Sequence, residues 1–206
     1  MSAGARAVMR ELKQAVADAG RRLDDRLPQI ADRITDHLDD VVRQVRDTDR
    51  FDNTVTMRGP NTKTTHFDPD TGRPVQEQGL ILEDFGGTPR GDNATAIGHL
   101  GDPGDDGGHL GAHRFFGDTP DEGIVPQIAN LNRGAWKKME SEWADWIAEG
   151  ARVDYRIAVD PPGSVRPDAF RVVYVVSDPA TGEVIEVRDP SFANVNGQTF
   201  DRLHQR

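Results

Sequence analysis

Along the first fifty residues the apolar positions return at helical intervals. Val8, Leu12, Val16, Leu23 and Leu27 lie four or seven apart, and Ile30, Ile34, Leu38, Val41 and Val45 continue the series beyond Pro28. Proline lacks an amide hydrogen and disfavours the helical region for the residue before it, so Pro28 divides the run into two helices. These form either a connector, delivery or oligomerisation element or a helical hairpin covering the sheet of the same domain. From Phe51 the period changes to two and turn residues multiply. Asp68-Pro69-Asp70-Thr71-Gly72 separates Thr64–Phe67 from Pro74–Glu77, and a near copy, Asp178-Pro179-Ala180-Thr181-Gly182, joins Phe170–Val176 to Val184–Val187. Proline presets one turn torsion and glycine supplies the left-handed position, so both read as hairpins. Asp68 and Asp70 resemble the start of a calcium loop, but the series stops there and a structural turn is the reading.

Between Gly86 and Gly108 the chain is dense in Gly, Pro, Asp and Asn, too polar to bury and too long for a simple connection. Ala94–Leu100 is the strand expected inside it, followed by a strand over His109–Ala112 and a short one over Ile124–Gln127. Gly134–Glu149 has helical composition, with Trp136, Met139, Trp143 and Ile147 spaced three or four apart as a core-packing stripe, and Gly150 stops it. Arg152–Val159 and Ala169–Val176 then read as sheet strands, the second with clear alternation. The pattern predicts an α+β fold, mainly antiparallel sheet. Residues 1–50 form a helical N-terminal segment and residues 51–206 a single domain.

Composition narrows the chemistry. The chain has 206 residues, no Cys, and no apolar run near the roughly 20 residues a membrane span needs. The start, Met1-Ser2-Ala3-Gly4-Ala5-Arg6, leads into an amphipathic stretch and gives no signal peptide. Without thiolates any metal must sit on oxygen and imidazole ligands, which favours magnesium, manganese or calcium. The net charge is −10, and residues 51–110 hold ten acidic against four basic groups. That balance opposes a static nucleic-acid binder and suits docking of a basic partner.

The chemistry concentrates in Asp105-Asp106-Gly107-Gly108-His109-Leu110 and Asn130-Leu131-Asn132-Arg133-Gly134-Ala135-Trp136-Lys137-Lys138-Met139-Glu140. A neutral imidazole to take a proton from water, a divalent cation to neutralise a leaving oxygen and a scaffold to space them suffice to cut a phosphodiester. With Val125-Pro126-Gln127 between them, these stretches resemble the DNA/RNA non-specific endonucleases of the ββα-metal (His-Me finger) superfamily. The subfamily most similar is that of the C-terminal nuclease toxin modules of secreted bacterial polymorphic toxins, and the resemblance covers roughly residues 60–195.

The resemblance implies a ββα-metal finger on the sheet, with His109 as the base that activates water. It implies Asn132 as side-chain ligand of a hydrated Mg²⁺, for which Mn²⁺ can substitute, and Glu140 as a carboxylate ordering the metal's water shell. Eight residues inside one helix would separate Asn132 and Glu140 by about 12 Å, so Asn132 is expected before the helix and Glu140 to act through water. Asp106 either orients His109 or caps a turn. Asn130 is the rival ligand to Asn132, and His113 is a second base or a hydrogen-bonded histidine. His66 and His99 read as structural. Where the family's best known motif has Arg, this chain has Gly107. Stabilisation of transition-state charge is therefore open among Arg73, Arg90, Arg114 and Arg133, with Arg133 and Lys137 the most local. The resemblance further implies DNA or RNA as substrate, a cognate immunity protein as partner, and a secreted effector that travels by a specialised route to a target cell's cytoplasm. Rival readings are a non-catalytic interaction module on the same fold and a housekeeping or nutritional nuclease.

Overall fold

The computed structural model describes residues 51–203, so the helices expected within residues 1–50 lie outside the described residues. Strands β1 (Asp52–Arg58), β2 (Asn61–Asp68), β3 (Arg73–Ile81), β6 (Arg152–Asp160), β7 (Ala169–Ser177) and β8 (Val184–Arg188) form an antiparallel sheet in that order, and β9 (Ser191–Ala193) pairs with β7. Both Asp-Pro-x-Thr-Gly segments turn hairpins as expected, with Gly72 at φ 65° and Gly182 at φ 72°. The first is closed by Gly72 N–H donating to the Asp68 carbonyl at 2.7 Å.

Alternation along β7 sends Phe170, Val172, Tyr174 and Val176 to one face, where all are fully buried. Against that face lies helix α4 (Lys137–Ala148), whose Met139, Trp143 and Ile147, together with Trp136 just before it, make the expected apolar stripe. Trp143 stacks on Tyr155 at 5.1 Å and meets Tyr174 edge-on at 5.5 Å, while Trp136 meets Phe170 at 5.1 Å. The aromatic packing fixes the helix on the sheet, and so fixes whatever its first turns carry.

A separate two-stranded hairpin, β4 (Asp105–His109) with β5 (Ile124–Ile128), precedes this helix and completes a ββα unit. Three expectations are corrected here. Ala94–Leu100 is not a strand: α1 spans Ala94–Gly98 and buries Ala94, Ile97 and Gly98, a helical spacing that period-two reading cannot produce. The strand expected over His109–Ala112 ends at His109. The chain then turns into α2 (His113–Phe116), because Phe115 and Phe116 must reach the core. Asn132 does not precede the helical run. It opens a π turn, Asn132–Trp136, set between the short helix α3 (Ala129–Leu131) and α4.

Candidate active site

The glycines of β4 decide how closely its surroundings approach. A Cβ on Gly107 would lie 1.8 Å from the Ala94 carbonyl oxygen, and one on Gly108 would lie 2.3 Å from Gln127 Oε1. The hairpin can therefore pack directly on α1. The same contact explains the absent arginine, because the backbone of α1 occupies the space any side chain at 107 would need.

A cleft of about 620 Å³ opens between the 86–95 segment, β4, α2 and the start of α4. Its lining brings together Asp106, Asn132, Arg133 and Glu140, with Arg90, Arg114, His99, His113 and Lys137. His99, read from sequence as structural, thus stands at the cleft, and Arg73 is not among its lining residues. Four basic groups gather here on an otherwise acidic chain. Arg133 forks onto Asp106 at 2.7 and 2.6 Å, and Arg114 pairs with Asp84 at 2.9 Å. Among the described residues Arg90 forms no ion pair, and its charge acts on Asp106, His109 and Glu140 alike.

The π turn explains how Asn132 and Glu140 share this cleft from within one helical run. Two α-helical turns take about 7.2 residues, so positions eight apart diverge in a regular helix. A π turn absorbs one extra residue, and eight positions then return to the same face as seven would. Asn132 Nδ2 donates to Asp106 Oδ2 at 3.0 Å, which leaves Oδ1 as the amide atom available to a cation. Asn130, the rival ligand, instead accepts from the Gly197 amide at 2.9 Å.

His109 is 4% exposed and is not itself among the residues lining the cleft, although Gly107 and Ala112, which flank it in sequence, are. Its Nε2 is bonded to Asp92 Oδ2 at 2.7 Å, and Asp92 also accepts from the Thr119 amide at 3.3 Å. The carboxylate on the imidazole is therefore Asp92, which sequence reading missed. Asp106, offered for that role, is committed to Asn132 and Arg133. Burial pushes the His109 imidazole down to about 4, although Asp92 pulls the other way. At neutral pH the ring is uncharged and can accept a proton. His113 stands edge-on to His109 at 5.6 Å and bonds Asp118 through Nε2 at 3.1 Å.

Burial pushes the half-buried Glu140 carboxyl up to about 8, with Arg114, Arg90 and Lys137 only partly offsetting it. A carboxyl and an amide oxygen lining one cleft, in a chain without thiolates, are oxygen donors that fit a hard divalent cation and its water shell.

Comparison with known proteins accords with this geometry. The chain resembles NucA from Streptococcus agalactiae, solved with magnesium ion bound: TM-score 0.51 at 14% identity, over 71% of this chain and 85% of NucA. The metal-free NucA structure superposes with TM-score 0.51 at 15% identity, over 68% and 74%. At such identity the likeness establishes a shared fold. The type VII secretion system protein EssD of Staphylococcus aureus is 35% identical over 82 residues in strains USA300 and NCTC 8325, covering 36% of this chain and 13% of EssD. The chain thus spans a small part of those relatives. The family model for the DNA/RNA non-specific endonucleases matches residues 53–177, which takes in the whole ββα unit and most of the sheet. The chain belongs to the DNA/RNA non-specific endonuclease family.

Proposed function

We propose that the chain is a metal-dependent endonuclease that hydrolyses phosphodiester bonds of DNA, and of RNA as a second substrate, with little sequence preference. The observation that carries this reading is the convergence of Asp106, Asn132, Glu140 and Arg90 on one cleft, with an uncharged His109 on the strand that carries Asp106. His109 is the general base. With Nε2 engaged by Asp92, Nδ1 is the nitrogen that takes a proton from the attacking water. Asn132 Oδ1 would hold the cation, Mg²⁺ with Mn²⁺ as substitute, and Asp106 keeps the amide turned for it. Two helical turns on, roughly 10 Å along the axis, Glu140 acts on the cation's water shell rather than on the ion itself. Such a cation supplies charge neutralisation at the departing oxygen. Arg90 is the arginine of this cleft best placed to stabilise the transition-state phosphate, since Arg114 and Arg133 are tied to carboxylates.

One observation favours a second assignment within the same reading. His113 lines the cleft and His109 does not, so His113 is the alternative base.

The partial likeness to a type VII secretion system protein supports a role as an exported antibacterial toxin module, with an immunity protein guarding the producing cell and action in a target cell's cytoplasm. Cleavage of supercoiled plasmid, and separately of RNA, tests the enzyme reading. Loss of substrate should require Mg²⁺, stop with EDTA and stop in His109→Ala. Plasmid loss that persists in His109→Ala but ends in His113→Ala moves the base to His113. Intact plasmid and RNA with a folded protein sink the nuclease mechanism. Unchanged toxicity of His109→Ala on expression in a host without the immunity protein sinks the toxin role.

A further inference from the structure

Beneath His109 lies a polar network that the cleft does not touch. Lys63 and Glu77, both with fully buried side chains, pair at 3.1 Å between Nζ and Oε2. Glu77 also accepts from Thr65 Oγ1 at 2.7 Å and from the Tyr155 hydroxyl at 2.8 Å, so both its oxygens are engaged. Lys63 Nζ donates to Thr119 Oγ1 at 3.2 Å, and the Thr119 amide donates to the Asp92 carboxylate that holds His109 Nε2. Thr119 therefore bridges the ion pair on the sheet to the imidazole's carboxylate, its hydroxyl held by Lys63 and its backbone amide holding Asp92.

The finger is also seated on this pair. Gly111 follows β4, and a Cβ there would lie 2.2 Å from the Tyr155 hydroxyl and 2.7 Å from Glu77 Oε1. Gly123 precedes β5, and a Cβ there would lie 2.3 Å from Thr119 Cγ2 and 3.5 Å from Glu77 Oε2. These glycines flank the His109↔Ile124 rung that ends the hairpin. Lys63 Nζ also lies 5.1 Å from the ring centre of Phe116 in α2. Burying an ion pair costs more solvation than a matched apolar pair, and replacing such a pair by apolar groups is often neutral or stabilising, so stability alone does not account for it. Its directional bonds fix one arrangement, which apolar groups cannot do.

We propose that the buried Lys63–Glu77 pair is a positioning device for the base: through Thr119 it fixes Asp92 on His109 Nε2, and so presents Nδ1 to water. The proposal rests on His109 being the base. Its test therefore needs a readout independent of turnover, which is the ¹⁵N NMR signature of the His109 tautomer near neutral pH.

The variants are Lys63→Met/Glu77→Gln, which removes both charges while leaving Tyr155 an acceptor, Thr119→Val, which removes the hydroxyl link, and Thr119→Ser, which restores it. The parent should show a single tautomer protonated on Nε2. In the double variant and in Thr119→Val the tautomers should mix, and kcat on plasmid should fall ~10–100-fold with KM little changed, the range for groups that orient a functional histidine. Thr119→Ser should recover both readouts. A folded double variant that keeps the single tautomer overturns the proposal, whatever its kcat. Mixed tautomers with unchanged kcat would leave the positioning intact and remove His109 as the base. If the double variant fails to fold, Thr119→Val against Thr119→Ser decides the question.

Discussion

One face of one sheet is built in two ways. In β6 and β7 it carries Tyr155, Ile157, Phe170, Val172, Tyr174 and Val176, packed under the tryptophans of α4. In β2 and β3 the same face carries Lys63, Thr65 and Glu77, continuous with it through the pairings Thr65↔Glu77 and Glu77↔Ile157. The apolar half is non-directional and tolerates small shifts, so it supplies stability and fixes the α4 axis. The polar half bonds one geometry only, and it lies under the finger. The difference teaches that stability and alignment are assigned to separate halves of the core, and substitutions should separate them.

The largest effect is expected on the apolar side. Trp143→Ala removes a fully buried ring between Tyr155 and Tyr174, and should cost about 3–5 kcal/mol in urea unfolding. Activity per folded molecule below the transition should change far less than in His109→Ala. A Trp143→Ala protein that keeps its stability but loses turnover would erase the division.

Acid provides the next comparison. His109 titrates near 6.5 in an unfolded chain and at about 4 in the folded one, so between these values the unfolded chain binds the proton that the folded chain refuses. The stabilisation is complete above pH 6.5 and is lost as pH falls through about 4. It amounts to about 3 kcal/mol at 1.36 kcal/mol per pH unit. Parent and His109→Gln should therefore differ in the pH dependence of their urea midpoints over that window, and parallel curves would refute the assignment. The next prediction concerns Arg90, which forms no ion pair among the described residues. Arg90→Ala should lower kcat by roughly 10²-fold with little change in midpoint, whereas Arg114→Ala, which breaks a pair with Asp84, should move both.

Much of the apolar half could be read in advance, because alternation in β7, the tryptophan stripe and the repeated Asp-Pro-x-Thr-Gly turns are local signals. Asp106, Asn132 and Glu140 could be named from their motif, and the structure brings them to one cleft. Asp92 could not: it lies in an irregular loop seventeen positions before His109, and only the packing of α1 on β4 carries it there. Nor does any residue type announce the single-residue slip of the π turn: the expectation of Asn132 outside the helix rests on axial rise alone, and the slip sets both residues on one face from within the helical run. Nothing in the sequence marks Lys63 and Glu77 as a buried pair, since period two says which residues share a face but not that a buried face can be polar.

The smallest expected effect concerns the metal and bears on the cleft that both halves hold in place. Glu140 is raised from its ordinary 4.5 to about 8 by burial, so the folded chain favours its protonated form. The stability this group contributes is present below pH 4.5 and is lost as pH rises through about 8. A divalent cation whose water shell Glu140 would order, as proposed, favours the ionised form instead. At pH 6 binding must first expel a proton, whereas at pH 8.5 the carboxylate is largely free to act. Mg²⁺ should therefore raise the melting temperature more at pH 8.5 than at pH 6. At ten times the dissociation constant its contribution is about 1.4 kcal/mol. Glu140→Gln should level the two pH values, because an amide neither titrates nor needs the cation's charge. Asn132→Ala should abolish the shift at both. A shift that is equal at both pH values in the parent, or one that survives Asn132→Ala, would place the cation away from this helix and leave the two halves of the core aligning a cleft of some other use.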